Sequence, residues 1–506
     1  MDTKALRQKI LDLAIRGKLV PQDPNDEPAE VLLESIREQK QQMLKEGKLK
    51  KKDIKNDTII FKGEDNLHYE KFQDGTVKCI EDEIPFEVPE GWAWTRLQYI
   101  ISLSSGKTIK VRQLTDEGDF PVYGGNGING MYSYYNVEPK TIVIGRVGYY
   151  CGSVYKTISK AWVTDNALIA TIKEPNIFDI DFLVSTLTYL NLGTTSVSTA
   201  QPVVSGKGIL PLIVPIPPKK EQNRILRQIK KIAPLLDAIE NSQKETLSLI
   251  ANTKSKILDL AIRGKLVPQD PNDEPASVLL ERMRAEKEEL IKQGKIKRDK
   301  KEPVIFKGDD NSYYEKLPDG KINCIDKQLP FELPDGWKWC NLSMIGTTNI
   351  GLTYRPTDID TQGIIVLRSC NIVNDEINLT DLVRVRTSIR ENQFVQKDDI
   401  LICARNGSRS LVGKCALIPE LDEKVSFGAF MAVYRTPYFK YIVHFLRSNF
   451  FRRVFDSSNS TAINQLTQDM IKRAVVPLPP LAEQLRMVDK ITELFEILNC
   501  IEESLN

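Results

Sequence analysis

The chain is poor in the residues that most metal sites and acid–base catalysts use. Only two histidines, His68 and His444, occur among its 506 residues, and the 8 cysteines include no Cys-x-x-Cys pair. A zinc site is therefore not expected, because such sites draw on closely spaced cysteine and histidine ligands. Scattered thiols in a large chain are typical of a reducing compartment, so we expect a cytoplasmic protein.

Long hydrophobic runs and an excess of one charge are also missing. No apolar segment approaches the roughly 20 residues that a membrane-spanning helix needs, so no membrane partner is expected. The N-terminus opens a charged amphipathic pattern rather than the apolar core of a signal peptide. The 70 basic and 68 acidic residues leave a net charge of +2. Because nucleic-acid-binding proteins usually carry a basic excess, any contact with DNA must use local positive patches.

Motifs that would indicate an enzyme are incomplete. Residues 125–130 fit Gly-x-Gly-x-x-Gly, but a strand-like aromatic segment follows them where a dinucleotide site needs a helix. Residues 105–108 resemble the end of a phosphate-binding loop, but Ile101 stands where its first glycine belongs. The Pro-Pro pairs at 217–218 and 479–480 lack the flanking residues of a methyltransferase loop that grips a flipped base. No catalytic centre is expected.

What the sequence does contain is an internal repeat. Residues 9–29, KILDLAIRGKLVPQDPNDEPA, recur without a change as residues 256–276. Two shorter matches follow in each half, an opening segment Pro-x-Gly-Trp-x-Trp at 89–94 and 334–339 and a closing segment ending in Glu-Gln at 198–222 and 460–484. Repetition on this scale indicates that one structural frame is built twice.

Between these frames the two halves differ. Residues 98–197 and 343–459 share no obvious alignment, and the second stretch is longer. Similar frames around dissimilar inserts are expected of a protein that needs the same attachment twice and different recognition twice. When the repeats are superposed, the two chain ends cover the central segment almost without a gap, as in a circularly permuted duplication. This predicts that the termini lie side by side.

The central segment has the apolar spacing of a long helix. Apolar residues follow each other there at four- and three-residue steps, and the C-terminal segment repeats this seam: Ile225, Ile229, Ile232, Leu236 and Ile239, then Met487, Ile491, Leu494, Leu498 and Ile501. A helix over 221–263 would extend about 65 Å at 1.5 Å per residue. Pro234 is expected to kink or split it. The repeat favours an antiparallel coil that acts as a spacer, and a core helix of one globular domain is the alternative. Charged helices are predicted at 30–46 and 277–293.

At this point the sequence resembles a known family, the specificity subunits of type I restriction-modification systems. The resemblance rests on the repeated ILDLAIRGKLVPQDPNDEPA, on the opening segments and on closing segments of the form Val-Pro-x-Pro-Pro-x-x-Glu-Gln. Residues 123–128 (YGGNGI), 144–148 (IGRVG) and 162–167 (WVTDNA) follow signatures of some target-recognition domains of that family, and residues 399–408 (DILICARNGS) look like another such domain. The resemblance covers nearly the whole chain.

The resemblance implies a mixed α/β (α+β) fold. Two target-recognition domains would be separated by a long antiparallel helical pair, a coiled-coil-like spacer, in a pseudo-two-fold arrangement with a circularly permuted repeat. The expected segments are an N-terminal conserved helical arm (1–85), a first recognition domain (86–218), a central helical spacer and arm (219–329), a second recognition domain (330–480) and a C-terminal conserved helix (481–506).

The resemblance also implies a function without catalysis in this chain. Each recognition domain would read one half of a split site in double-stranded DNA, and dissimilar inserts imply an asymmetric bipartite target. Two modification (methyltransferase) subunits would dock on the helices, and restriction (nuclease and translocase) subunits would join them. S-adenosylmethionine, ATP and magnesium would bind those partners, so no cofactor is expected on this chain.

Candidate base-contacting residues follow from the chemistry of the major groove, where arginine pairs with guanine and asparagine with adenine. Loop arginines and asparagines of the inserts are therefore the DNA-binding candidates: Asn126, Arg146 and Asn166 in the first domain, and Arg355, Arg368, Asn371, Arg405, Asn406 and Arg409 in the second. Each of these residues also has a structural or phosphate-binding alternative. Tyr134, Tyr135, Tyr149 and Tyr150 are assigned to packing or loop support, with DNA contact as the alternative. The four tryptophans of the opening segments are assigned to the core.

Two other classes of function stay open at this stage. A single-chain restriction-modification enzyme would have to bind S-adenosylmethionine by itself. A protein-interaction scaffold without DNA readout would agree with the near-zero net charge, and salt-dependent DNA binding would count against it.

Overall fold

The computed structural model describes residues 2–50, 54, 57–115, 117–173, 177–196, 202–294, 303–317, 319–329, 331–456 and 465–505. The chain forms two compact units, Met1–Gln243 and Lys244–Asn506. Each unit contains a helical arm, a small sheet, a recognition insert and a closing helix, in that order. Across the described ranges, no helix is both long and apolar enough to cross a membrane.

Within the residues that the structure describes, the first unit contains five α-helices, the start of a sixth, and twelve strands. The helices are α1 (Thr3–Ile15), α2 (Ala29–Lys45), α3 (Leu97–Ile100), α4 (Ile180–Tyr189), α5 (Gly206–Ile209) and the start of α6 (Lys219–Ile262). The strands are β1 (Ile59–Lys62), β2 (His68–Lys71), β3 (Val77–Cys79), β4 (Ala93–Arg96), β5 (Ile101–Ser105), β6 (Phe120–Gly124), β7 (Gly127–Tyr132), β8 (Ile142–Gly145), β9 (Val154–Lys156), β10 (Trp162–Val163), β11 (Ala167–Ile172) and β12 (Ile213–Ile216).

The second unit begins within α6 and repeats this order. Its other helices are α7 (Ala276–Lys292), α8 (Leu342–Ile345), α9 (Phe439–Arg447), α10 (Asn449–Asp456), α11 (Gln468–Arg473) and α12 (Leu481–Leu505). Its strands are β13 (Val304–Lys307), β14 (Tyr313–Lys316), β15 (Ile322–Cys324), β16 (Lys338–Asn341), β17 (Thr347–Ile350), β18 (Ile359–Leu367), β19 (Ile372–Val373), β20 (Glu376–Ile377), β21 (Val383–Val385), β22 (Ile400–Cys403), β23 (Cys415–Leu417), β24 (Val425–Phe427), β25 (Met431–Arg435) and β26 (Val475–Leu478). The charged helices predicted after each repeat are confirmed as α2 and α7.

The two inserts share one topology although their sequences do not align. In the first, a four-stranded antiparallel sheet has the order β5-β11-β8-β9, and a three-stranded sheet β10-β6-β7 contains the parallel pair β10 and β6. In the second, the orders are β17-β25-β22-β23 and β24-β18-β21, with β24 and β18 parallel. The second insert adds the hairpin of β19 and β20.

Each insert is held at its base by two framing strands. The opening strand β4 pairs antiparallel with the closing strand β12, so that Trp94 faces Pro215, and β16 pairs with β26, so that Trp339 faces Pro477. The predicted opening and closing segments are therefore hydrogen-bonded neighbours. Because the insert leaves and returns through one strand pair, its internal sequence can change without disturbing the frame.

The central strand β8 shows why these inserts contain continuous apolar runs. Ile142 and Ile144 lie in a core that includes Phe182 of α4. Val143 points to the other side of the strand, where Val163 of the three-stranded sheet β10-β6-β7 covers it. A strand covered on both faces has no solvent side and is apolar throughout. In the second unit the strand β22 is buried at all four positions in the same way.

A buried hydrogen bond joins the opening segment of each unit to the first turn of its closing helix. The indole Nε1 of Trp92 donates to Glu221 Oε2 at 3.0 Å, and that of Trp337 donates to Glu483 Oε2 at 2.9 Å. Gln22, from the repeated PQDPND segment, donates to the other oxygen of Glu221 at 3.1 Å. Three separate repeat motifs therefore meet at one buried carboxyl group. The assignment of the opening tryptophans to the core is confirmed, since all four are buried.

Within each unit, the terminal helix runs antiparallel to one half of α6. In the first unit Arg7 of α1 pairs with Asp237, and Asp26, further along the chain, pairs with Arg224 at 2.6 Å. As the residue number rises from 7 to 26 on one segment, the number of its partner falls from 237 to 224 on α6, which shows that the two segments are antiparallel. The second unit repeats this arrangement with the ion pairs Lys254–Glu502 and Arg486–Asp273. The spacer role of these helices and the proximity of the termini stay predictions.

The long helix differs from its prediction in two details. Pro234 lies inside α6, which runs unbroken for 44 residues, so the helix does not split there, and the alternative of a kink stays a prediction. The Pro234 side chain is exposed, and the helix loses one amide donor there without a clash in the core. Ile501, predicted to lie in the seam, is exposed, whereas Met487 and Ile491 are fully buried.

We expect Trp92→Phe to destabilise the first unit by about 1–3 kcal/mol more than Trp94→Phe. The first change removes the donor of Glu221 Oε2 and leaves only the Gln22 contact on the other oxygen, and an unsatisfied buried polar atom costs about that much. Trp94 is the matched control, because its buried Nε1 has no hydrogen-bond partner among the described residues. Urea unfolding measures the difference. Trp337→Phe and Trp339→Phe repeat the test in the second unit, and equal losses within either pair would contradict it.

We also expect Glu221→Gln to flatten the pH dependence of stability. Burial raises the pKa of Glu221 above the ordinary 4.5, so the folded state holds the proton more tightly than the unfolded chain. The unfolding free energy is then highest below pH 4.5 and falls as the pH rises through the raised pKa. Unfolding midpoints across this range should fall less in the variant than in the wild type, while Glu483, whose pKa is also raised by burial, contributes equally to both. Glu90→Gln, at an exposed position, should leave the wild-type slope unchanged.

Candidate nucleic-acid interface

The first insert brings four chain segments together at one edge, called here the first loop edge: residues 105–108, 124–127, 145–150 and 164–167. The hairpin turn between β6 and β7 carries Asn126, Arg146 follows β8, and Asn166 precedes β11. The backbone N–H of Arg146 donates to the carbonyl oxygen of Asn166 at 2.9 Å. All three candidates of the first domain therefore lie on this edge.

Glycines allow these segments to approach each other closely. A methyl group on Gly145 would lie 2.3 Å from the carbonyl oxygen of Gly125, and one on Gly125 would lie 2.7 Å from that of Val147. Contacts this short cannot be accommodated by a side chain, because the opposing atoms belong to the backbone. The Gly-x-Gly-x-x-Gly motif is thus a hairpin packed against β8, in agreement with the rejection of a dinucleotide site.

The side chains on this edge point to a polar, positively charged surface. Asn126 and Asn166 are exposed, and Arg146 is half-buried with its Nη1 3.4 Å from Ser105 Oγ. Three further cations nearby in the sequence, Lys107, Lys110 and Arg112, are exposed and form no ion pair with any residue that the structure describes. Of these, Lys107 lies on the edge itself, and an unpaired cation there is suited to phosphate contact.

Two tyrosines of this edge do not pack as expected. Tyr149 is 90% exposed and Tyr150 is 54% exposed, and their rings meet edge to face at 5.1 Å. They follow Arg146 in the turn between β8 and β9, where no core element covers them. Packing in a core is therefore wrong for these two residues, whereas loop support, the other half of the assignment, agrees with the contact between their rings.

The second insert forms the corresponding second loop edge from residues 351–355, 368–370, 404–409 and 428–431. The guanidinium carbon of Arg405 lies 5.3 Å from the ring centroid of Phe430, which is 60% exposed. Asn406 Nδ2 donates to Ser369 Oγ at 3.2 Å, which joins two of the segments. A cleft of about 500 Å³ opens here, and Arg368 and Phe430 belong to its lining.

The other candidates of the second domain differ in what they can reach. Arg355 and Arg409 are exposed, whereas Arg368 is half-buried and pairs with Asp381 at 2.9 Å. Asn371 is 1% exposed, and its amide donates to the carbonyl oxygens of residues 378 and 381 at 3.0 and 2.8 Å. The amide of Asn371 therefore fixes a backbone turn and has no free face toward a ligand.

Matching hydrogen bonds establish which positions of the two edges correspond. In the first unit the backbone N–H groups of residues 145, 146 and 204 donate to the carbonyl oxygens of residues 153, 166 and 146, respectively. In the second unit the N–H groups of residues 403, 404 and 466 donate to the carbonyl oxygens of residues 414, 430 and 404, in the same order. At the other segments of the first unit, the N–H groups of residues 164 and 107 donate to the carbonyl oxygens of residues 123 and 163. Residues 428 and 352 of the second unit donate to residues 367 and 427 in the same way. The edges thus share one backbone frame.

Corresponding positions carry different chemistry. Arg146 of the first edge corresponds to Ala404 of the second, and Asn166 corresponds to Phe430. Arg405 is the residue after Ala404, so the two arginines do not occupy the same position in the shared frame. One edge offers amide groups and an arginine, and the other offers an arginine held over an aromatic ring. Two different nucleotide sequences would be needed to complement them.

Sequence reasoning missed Phe430 and Lys107. No motif marks Phe430, because its exposure depends on the bend between β24 and β25, and an isolated phenylalanine normally indicates a core position. Lys107 was considered only as part of an incomplete phosphate loop, yet the segment 105–108 lies on the first edge. The position of Lys107 directly after β5 would have indicated a place on this edge, but only once the neighbouring strands of β5 were known.

We expect Gly145→Ala to destabilise the first unit by about 1–3 kcal/mol, the usual cost of inserting a methyl group into a packed site. The new methyl would displace the hairpin that carries Asn126, so binding of DNA should weaken as well. Thermal unfolding and fluorescence anisotropy measure the two effects. Gly206→Ala is the control, since a methyl there meets only ordinary contacts at 3.9 Å. Unchanged stability of Gly145→Ala would contradict the close approach.

Known proteins resemble this chain over most of its length. The chain is 26% identical to the type I restriction enzyme EcoAI specificity subunit of Escherichia coli, over 98% of this chain and 89% of that subunit. It is equally similar to the EcoEI specificity subunit, over 99% of this chain and 90% of that one. A solved chain from work on complex assembly and conformational transition of the type I R-M system has the same fold, with a TM-score of 0.51, 14% identity and coverage of 83% of this chain and 94% of that one.

The sequence profile of one family matches both units. It is described as the type I restriction modification DNA specificity domain, and it covers residues 89–249 and 338–506. Each match begins at or next to a framing segment, spans one insert and extends into the closing helix, so the two loop edges lie inside the matched regions. With more than half of its residues matched, this chain belongs to the type I restriction-modification DNA specificity family.

Proposed function

We propose that this chain reads an asymmetric, two-part DNA site, with one half-site at each loop edge. The observation that carries the proposal is the pair of edges with one backbone frame and different side chains. A shared frame would approach DNA in the same way twice, and different side chains would select different bases. The dissimilar inserts had led to the same expectation from sequence.

Base reading is assigned to side chains that reach solvent on these edges. At the first edge Arg146 is suited to guanine, and Asn126 and Asn166 to adenine. At the second edge the group consists of Arg355, Arg368, Arg405, Asn406 and Arg409, with Phe430 added as an apolar contact for a thymine methyl or an exposed base. Asn371 is left out because its amide is buried and fully used.

Affinity that does not depend on sequence would come from the local cations. The net charge of +2 is too small to attract DNA by itself, but exposed Lys107, Lys110 and Arg112 lie within or close to the first loop edge in sequence. Lysine and arginine side chains release counterions condensed on phosphates, which makes such binding weaken as salt rises. A local patch thus replaces an overall basic excess.

The duplicated frame supports two identical partners for one chain. Two modification subunits would dock on the two copies of the frame, and restriction subunits would join this complex. S-adenosylmethionine, ATP and magnesium would be bound by those partners, and this chain would supply recognition and assembly without catalysis.

The proposal is tested by expressing this chain with and without its modification subunit in a host free of DNA methylation, followed by mapping of methylated adenines. One asymmetric split motif, present only when both proteins are expressed, is the expected result. Deletion of residues 86–218 should abolish it. Methylation by this chain alone would contradict a non-catalytic role, and a palindromic motif would contradict two different half-sites.

Arginine substitutions should affect one half-site at a time. Arg146→Ala should weaken binding by about 1–3 kcal/mol, the discrimination of one bidentate contact, and relax the motif only in the first half-site. Arg405→Ala should relax only the second. Binding to DNA that carries each half-site mutated in turn separates the two. Arg282→Ala, an exposed arginine of the helical arm, is the control, and an equal effect of both variants on both half-sites would contradict the assignment.

A further inference from the structure

A small sheet precedes the opening strand in each unit and lies outside both segments that the family profile covers. It consists of β1, β2 and β3 in the first unit and of β13, β14 and β15 in the second, in the same antiparallel order. Each sheet packs against the opening strand of its unit, β4 or β16. One face of the sheet therefore looks inward, and the other looks to solvent.

The solvent faces of the two sheets carry nearly the same side chains. Strand register places six residues on each outer face: Ile59, Phe61, Tyr69, Lys71, Val77 and Cys79 in the first unit, and Val304, Phe306, Tyr314, Lys316, Ile322 and Cys324 in the second. Four of the six are identical, and the other two exchange one β-branched aliphatic residue for another. These two sets are called here the outer faces.

The inward faces are less alike. There Ile60, Lys62 and Glu70 recur as Ile305, Lys307 and Glu315, but His68 is replaced by Tyr313 and Lys78 by Asn323. Packing normally restricts the buried face of a sheet, while single exposed positions tolerate substitution at little cost. Of the two inward positions that differ, His68 is buried and Lys78 is exposed. Burial therefore does not explain why the exposed outer face is preserved, and we expect that a partner outside the chain restricts it.

The outer faces have the character of an interface. Val77 and Ile322 are each 53% exposed, and the ring of each phenylalanine stacks on the neighbouring tyrosine, with centroids 5.9 Å apart in the first unit and 5.8 Å in the second. Contiguous exposed apolar side chains, rimmed by polar ones, mark sites of protein association.

Charge distinguishes a protein partner from DNA. Acidic residues outnumber lysines in both sheet segments, residues 59–83 and 304–327, and each outer face carries a single cation, Lys71 or Lys316. A surface that neutralises phosphates needs several cations without acidic neighbours. The outer faces are therefore better suited to a protein with an apolar patch than to DNA, and the duplicated face offers two such sites.

We propose that each outer face binds one copy of the modification subunit. This inference rests on the proposed function, in which two modification subunits bind one copy of this chain. The apolar side chains of the face would lie against an apolar patch of that subunit, and the lysine would pair with an acidic group at its rim. The two sheets are then attachment sites of equal affinity, independent of the DNA half-site read by the unit.

The test uses the full chain, purified with its modification subunit, and native mass spectrometry to count bound copies. The wild type should bind two copies, Phe61→Asp or Phe306→Asp alone should bind one, and the double variant none, with affinity lowered about tenfold or more as for central interface residues. Val77→Lys with Ile322→Lys tests the same faces at more exposed positions, so that a folding defect of the phenylalanine variants cannot decide the result. Ile158→Lys, at an exposed position outside the sheets, should bind two copies.

Three outcomes would overturn the proposal. Two copies retained by both double variants, with unchanged melting temperatures, would show that the partner docks elsewhere while the proposed function stands. A wild-type chain that binds DNA but no modification subunit would overturn both. Concentration-dependent dimers of the chain alone, abolished by the double variants without loss of the modification subunit, would assign the face to a second copy of this chain.

Discussion

The buried hydrogen bond between a tryptophan and a glutamate, made once in each unit, is the contact on which the other frame elements depend. Trp92 belongs to the opening segment and Glu221 to the first turn of the closing helix, and Gln22 brings the repeated PQDPND loop to the same carboxyl group. An unpaired carboxyl group buried at this depth would be costly, so all three segments must arrive together. In the second unit Trp337 donates to Glu483 in the same way, whereas the other oxygen of Glu483 has no hydrogen-bond partner among the described residues.

A frame closed in this way separates stability from recognition. The pairing of β4 with β12 and of β16 with β26 holds the base of each insert, so the residues beyond those strands are free to differ. The inserts have used that freedom on their loop edges, where an arginine and an asparagine in one unit correspond to an alanine and a phenylalanine in the other. The outer faces of the small sheets show the opposite behaviour. Their residues differ little between the two units, although solvent exposure would permit many substitutions there.

The sequence predicted the parts of this structure that local signals determine. The helical arms α2 and α7 lie within a residue of their predicted bounds, because charged periodic segments follow turn-rich stops. The Trp92–Glu221 contact was not predictable, since its residues are 129 positions apart and tryptophan in the core has many possible partners. The common topology of the inserts was hidden for a related reason, because strand order depends on hydrogen bonds between distant segments and leaves no shared residues. Among the candidate site residues, the three of the first edge converge as the motifs suggested, whereas the burial of Asn371 depends on a turn that no motif marks.

The central claim is that one frame presents two different recognition surfaces, and exchanging the inserts tests it most directly. A chain in which residues 97–212 also replace residues 342–474 keeps both pairs of framing strands and carries the first loop edge twice. Expressed with the modification subunit in a methylation-free host, it should methylate a symmetric site built from two inverted copies of the first half-site. An unchanged asymmetric motif, from a folded chain that still binds its partner, would contradict the account.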